Sequence, residues 1–135
     1  MGATLGGEVE LVGYDLGGVA RVVPGENLHL RLVWRAPRRI GRHYTVFTHL
    51  VDSQGHIWAQ HDTLPGREYS TLFWAPGEVV VDEYTLQVDP GAPAGTYRIE
   101  VGLYQALTGA RAAVLDAQSR PAGDHVTLGP VQVAP

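Results

Sequence analysis

The sequence predicts an all-β domain, an antiparallel sandwich of two sheets. Three observations carry this. Tyr97-Arg98-Ile99-Glu100-Val101-Gly102-Leu103-Tyr104 alternates strictly, with Tyr97, Ile99, Val101 and Leu103 on one face and Arg98, Glu100 and Gly102 on the other. Period-two alternation is what a strand with one face on a core and one in water must show. Comparable segments recur along the chain, separated by Gly/Pro turns, and no stretch carries a convincing helical period. Together they give about seven to nine short strands, the pattern of a sandwich, with a closed barrel as the architectural alternative.

Each element has its own warrant. Glu8 to Tyr14 reads as a first strand with Val9 and Leu11 inward, and Val19 to Val23 as a short edge strand stopped by Pro24-Gly25. Proline cannot donate to a ladder, and Pro-Gly favours a turn. Asn27 to Arg35 places Leu28, Leu30, Leu32 and Trp34 on one face. His43 to Val51 is apolar on both faces, as a central strand requires. Asp52-Ser53-Gln54-Gly55 is a hairpin turn, and His56 to Asp62 returns beside the strand before it. Thr63 to Gly77 holds no convincing strand. Glu78 to Val88 aligns Tyr84, Leu86 and Val88. After the Tyr97 strand, Arg111 to Leu115 is a short strand, and Val126-Thr127-Leu128 and Val131-Gln132-Val133 close the domain. The core expected from this alternation is Leu30, Leu32, Trp34, Val46, Leu50, Tyr84, Leu86, Tyr97, Ile99, Val101 and Leu103.

The chain has 135 residues, which suits a single domain spanning all of it. A net charge of −4 argues against a nucleic-acid partner, which needs a basic surface. Every basic residue is arginine. With no cysteine, disulfides, zinc–thiolate sites and cysteine catalysis are excluded together. No apolar run approaches the roughly twenty residues that span a bilayer, and the N-terminal residues do not read as a signal peptide.

No catalytic set emerges. Ser53, Ser70 and Ser119 are the only serines, and none lies in G-x-S-x-G. Asp82 and Glu83 are adjacent on one strand, so they face opposite sides and cannot flank one glycosidic bond. His49, His61 and Asp62 are the best metal-ligating trio, brought near one another by the hairpin. Zinc needs three or four ligands converging at about 2 Å. The alternative for these residues is cross-strand polar pairing, and no metal or other cofactor is expected.

The aromatics around the long loop are a stronger constellation. Trp58, Tyr69, Phe73 and Trp74 supply flat apolar faces of the kind that stack on sugar rings, with Gln60, His61, Asp62, Arg67 and Glu68 nearby to bond hydroxyls. The competing reading is that Phe73 and Trp74 staple the loop to the sandwich, offsetting its ordering entropy. A ligand-binding set of Trp58, Tyr69, Trp74, His61 and Asp62 therefore stands beside a purely structural one.

Several segments resemble a known family in their order and spacing. These are Leu11-Val12-Gly13-Tyr14-Asp15-Leu16, Pro24-Gly25-Glu26 running into Leu28-His29-Leu30-Arg31-Leu32-Val33-Trp34, and Tyr44-Thr45-Val46-Phe47-Thr48-His49-Leu50. Ala59-Gln60-His61-Asp62, Trp74-x-Pro76-Gly77-Glu78-Val79-Val80 and Pro93-Ala94-Gly95-Thr96-Tyr97-Arg98 complete the set. They resemble the immunoglobulin-like β-sandwich that follows the membrane region of bacterial polytopic glycosyltransferases of the dolichyl-phosphate-mannose and aminoarabinose types. The fold is also similar to the carbohydrate-binding sandwich of O-antigen transporters. The resemblance implies an excised or separately encoded module outside the cytoplasmic membrane, monomeric when isolated. It implies the membrane domain of a parent chain as partner, no catalysis, and a role in packing, spacing or protein contact. Glycan binding by the aromatics is the alternative role. The family offers no catalytic residues to carry over.

Overall fold

The computed structural model describes residues 2–17, 21–63 and 70–135. Its strands are β1 (Ala3–Leu5), β2 (Val9–Asp15), β3 (Arg21–Val22), β4 (Asn27–Arg35), β5 (Tyr44–Val51), β6 (Ile57–Thr63), β7 (Val79–Gln87), β8 (Gly95–Gln105), β9 (Val114–Leu115) and β10 (Val126–Val133). They form two five-stranded sheets, ordered β7-β4-β2-β1-β9 and β3-β10-β8-β5-β6. The fold is thus an all-β sandwich. Its strand number exceeds the expectation because β1 carries no alternation to announce it; β3 and β9, read as short strands, are two-residue edge pieces. One pairing departs from the antiparallel rule: β3 runs parallel to β10.

Alternation drives the packing. Along β4 the odd-numbered side chains from His29 to Arg35 face outward while Leu28, Leu30, Leu32 and Trp34 are buried. β7 repeats this with Val80, Tyr84 and Leu86, continued by Val88 just past its end, and β8 with Tyr97, Ile99, Val101 and Leu103. These residues, with Val46 and Leu50 of β5, form one cluster between the sheets. Removing such side chains from water at about 25 cal/mol per Å2 is the main stabilising contribution.

A carboxylate shares this interior. Asp82 is buried on the core face of β7, and the Tyr84 hydroxyl donates to its Oδ2 at 2.6 Å. Burial, followed by the neighbouring carboxylate, pushes the Tyr84 hydroxyl far above the ordinary tyrosine range. Glu83, one residue on, faces solvent and pairs with Arg31 at 2.9 Å, so the two carboxylates do point apart.

The connections follow their turn chemistry. The Asp52 carbonyl accepts the Gly55 N–H at 3.1 Å, and Gly55 has φ +86°, which glycine adopts without strain. Asp52 Oδ1 accepts the Gln54 and His56 N–H groups, and Oδ2 accepts the Trp58 indole N–H at 2.9 Å. The indole bond, with the backbone bonds behind it, brings the Asp52 carboxyl down to about 2. The two closing segments read from the sequence are one strand, β10, with its register shifting between Leu128 and Val131. Proline, lacking an N–H, is tolerated at such an irregularity.

Candidate functional site

Among the described residues, Trp74 does not contribute to the aromatic platform expected around residues 58–74. Trp74 is fully buried within the core cluster, so no sugar can reach its face. Its burial follows from the single turn of 3-10 helix at Thr71–Phe73, which carries the chain onto the end of the sandwich. Ser70 Oγ accepts the Leu72 N–H to cap that turn, and Thr71 Oγ1 donates to the Arg42 carbonyl at 2.6 Å. Trp58 packs against the core from a half-buried position, its N–H held by Asp52. Phe73 was expected to anchor the loop beside Trp74; it is 70% exposed instead. Tyr69, Arg67, Glu68 and Pro65 lie outside the described residues.

The His49–His61–Asp62 trio divides. His61 pairs with Thr48 across β5 and β6, on the core side. Its ring meets Tyr84 edge-on at 5.6 Å, and its Nδ1 lies 3.1 Å from the Thr85 carbonyl of β7. Asp62, the next residue, must point the other way, as must His49 on β5. Asp62 Oδ1 lies 3.8 Å from His49 Nε2. Strand parity therefore keeps the three from converging on one ion.

What Asp62 and His49 join is a cluster on the outer face of the second sheet. Its floor is Phe47, which pairs with Asp62 on one side and Gly102 on the other. Phe47 is only 1% exposed yet stands outside the core cluster between the sheets. Its cover is local. The His49 ring lies 5.0 Å away, the Tyr104 ring is stacked at 6.4 Å, and the Arg111 guanidinium sits 4.2 Å from the ring centroid. The last is a cation–π contact. Gly102 makes room for the ring: a Cβ there would run into the Phe47 ring edge and lie 3.0 Å from the Asp124 carbonyl.

Polar groups ring this floor. The Tyr104 hydroxyl donates to Asp62 Oδ2 at 3.3 Å. Arg98 pairs with Glu100 at 3.1 Å, and Arg111 with Asp124 at 3.4 Å. His125 reaches Asp124 at 2.9 Å and Glu100 at 3.5 Å. Burial lowers the His49 imidazole below the usual histidine range; Arg111 and His125 act in the same direction, and Asp62 and Glu100 oppose them. The bond from His125, with Arg111 behind it, lowers Asp124. Burial, then Asp62, raises the Tyr104 hydroxyl. Asp62 and Gln60 are exposed, and Gln60 is the cross-strand partner of His49. The face therefore presents the half-buried Tyr104 ring, a carboxylate with long, loosely held contacts, and an amide.

Sequence reasoning found Asp62 and missed Phe47, Tyr104 and Arg111. Counting back from the Asp52–Gly55 turn would set His61 opposite Phe47; a register shift between Leu50 and Val51, which the sequence does not announce, puts Asp62 there. A separate Ser–His contact also escaped notice, His43 Nδ1 to Ser70 Oγ at 2.7 Å. Ser70 is buried and its hydroxyl caps the 3-10 turn, so the pair closes a loop.

Known structures share the fold. The C-terminal domain of Wzt superposes with a TM-score of 0.65 at 11% identity, covering 98% of this chain and 77% of that one. A β-glucosidase from Listeria innocua matches with a TM-score of 0.53 at 13% identity, over 98% of this chain and 16% of the enzyme. The Pseudomonas fluorescens alkylpurine DNA glycosylase AlkC, bound to DNA containing an abasic site analog, matches at 0.50 and 14% identity, over 95% and 31%. No protein-family model matches the sequence, and no curated protein matches it. Among the described residues, no helix is long and apolar enough to cross a membrane.

Proposed function

We propose that this chain is a non-catalytic accessory module, outside the cytoplasmic membrane, of a membrane glycosyltransferase or surface protein. Within that role it holds a glycan on the outer face of its second sheet. The single observation that carries the glycan reading is the Asp62–Tyr104–His49 group over Phe47. An exposed carboxylate accepts bonds from neighbouring sugar hydroxyls, and the adjacent ring offers the apolar face that sugar C–H groups pack on. The family resemblance of the sequence supports the setting. The likeness to Wzt supports a sandwich that works as an appended unit, since that neighbour is itself a C-terminal domain. In the glucosidase and AlkC, too, the sandwich corresponds to a minor part of a longer chain.

A glycan array of bacterial surface polysaccharides tests this. The wild-type chain is expected to bind a subset, and Asp62→Asn to lose that binding with an unchanged melting temperature. A wild type that binds nothing, or an Asp62→Asn variant that binds equally, would overturn it. The exposed Val12, Val79 and Val81 of the first sheet favour a second role, contact with another protein surface.

A further inference from the structure

One end of the sandwich combines protruding apolar side chains with arginines. Three connections meet there: residues 36–43 between β4 and β5, residues 70–78 before β7, and residues 106–113 after β8. They are tied to one another. Thr71 Oγ1 donates to the Arg42 carbonyl and accepts the Tyr44 N–H, and the Ala106 N–H donates to the His43 carbonyl at 3.3 Å. Arg42, His43, Leu72, Gln105 and Leu107 line a shared groove of about 260 Å3.

From this braced base, side chains that belong in a core stand in water. Leu107 is 98% exposed, and Phe73 and Leu72 are exposed beside the groove. Fully burying one leucine-sized side chain is worth more than tenfold in an equilibrium. The loop carrying Arg38, Arg39 and Arg42 is pinned by Ile40, which is buried, while all three arginines stay exposed. Opposing charge at this end comes from Glu8, Glu78 and Asp124, the last paired with Arg111. Glu8 already accepts the Gly41 N–H, the Tyr44 hydroxyl and Arg42, and Glu78 accepts the Ala75 N–H. In a chain of net charge −4, this end is locally basic.

We propose that this end docks on an anionic lipid surface, with Leu107 and Phe73 entering the headgroup–acyl boundary and Arg38, Arg39 and Arg42 pairing with lipid phosphates. Isolated tips on separate loops, flanked by guanidinium groups, suit a lipid interface. A protein interface instead requires a contiguous packed patch of about 800 Å2 per partner. The glycan face is a different surface, so the two proposals stand or fall separately.

The test is flotation of the 135-residue chain with phosphatidylcholine vesicles, with and without phosphatidylglycerol. The wild type is expected to float only with the anionic vesicles, and less as salt rises. Leu107→Ser with Phe73→Ser should weaken binding by about tenfold or more. Arg38→Gln with Arg39→Gln should also weaken it, and should reduce the salt dependence, with Arg42 carrying what remains. All these residues are exposed, so circular dichroism melts should match wild type. No flotation of the wild type, or equal flotation of the Leu107/Phe73 variant, would overturn the proposal. So would a wild type that sediments as a dimer and becomes monomeric in that variant, because the tips would then be a contact between copies.

Discussion

On the outer face of the first sheet, β7 leaves Val79 and Val81 open, the latter 56% exposed, and β4 presents His29 and Arg31 to solvent. On the outer face of the second, β5 buries Phe47 almost completely under His49, Tyr104 and Arg111. Both faces come from period-two strands, and both point away from the same core. The difference lies in what the chain does after β8. The chain leaves Arg111 on the second sheet, crosses to the first sheet as β9, and comes back at Asp124, so a guanidinium and a carboxylate sit on the second sheet's outer face. Among the described residues, nothing comparable covers Val79 and Val81 on the first sheet. An outer face becomes a built surface when a loop folds back on it, and stays a plain solvated face when none does.

The largest test of this contrast is truncation. Phe47→Ala removes a ring that faces outward yet is buried as deeply as the core. It is expected to cost about 3–5 kcal/mol, in the range of a core deletion such as Ile99→Ala at about 2–5 kcal/mol. Val81→Ala, outward on the other sheet, is expected to cost under about 1 kcal/mol. Urea denaturation of the three variants measures all of this. Equal small costs at Phe47 and Val81 would erase the distinction between the faces.

Gly102 sharpens the comparison at a smaller scale. Alanine there places a Cβ against the Phe47 ring and the Asp124 carbonyl. Overpacking of this kind costs about 1–3 kcal/mol. Combining Gly102→Ala with Phe47→Leu should recover part of the loss, because the shorter side chain vacates the space. A fully additive double mutant would mean that the ring and the glycine do not share that space.

The sandwich and its core were legible because alternation is local: Ile99, Val101 and Leu103 declare their face within a few residues. Asp62 was legible as a candidate, but its company was not. Phe47, Tyr104 and Arg111 come together through the register of three strands and a returning loop, and no short sequence window holds that. Trp74 was legible as a loop anchor or as a sugar platform, and its short sequence window could not choose between them. Its neighbours look like loop, and only the 3-10 turn at Thr71–Phe73 shows that the chain there dives into the core. His61 and Asp62 show how far parity alone reaches: it separates neighbours onto two faces without saying which face is the site.

The smallest effect concerns protonation of the covered face. Folding lowers the His49 pKa, chiefly by burial, so the native state favours the neutral ring. The unfolded chain then binds more protons between the native value and the ordinary value near 6.5. Stability therefore rises with pH across that window and is lost as pH falls through it. His49→Gln should flatten the slope of melting temperature against pH just below 6.5, leaving the plateau above it little changed. Asp62→Asn should move the His49 titration lower still, because it removes the nearest negative charge and leaves Arg111 and His125 opposed only by Glu100. Proton NMR of the His49 ring reads both. A His49 that titrates at or above the ordinary value would mean that solvent reaches the ring freely, and that this face is as open as the one bearing Val81.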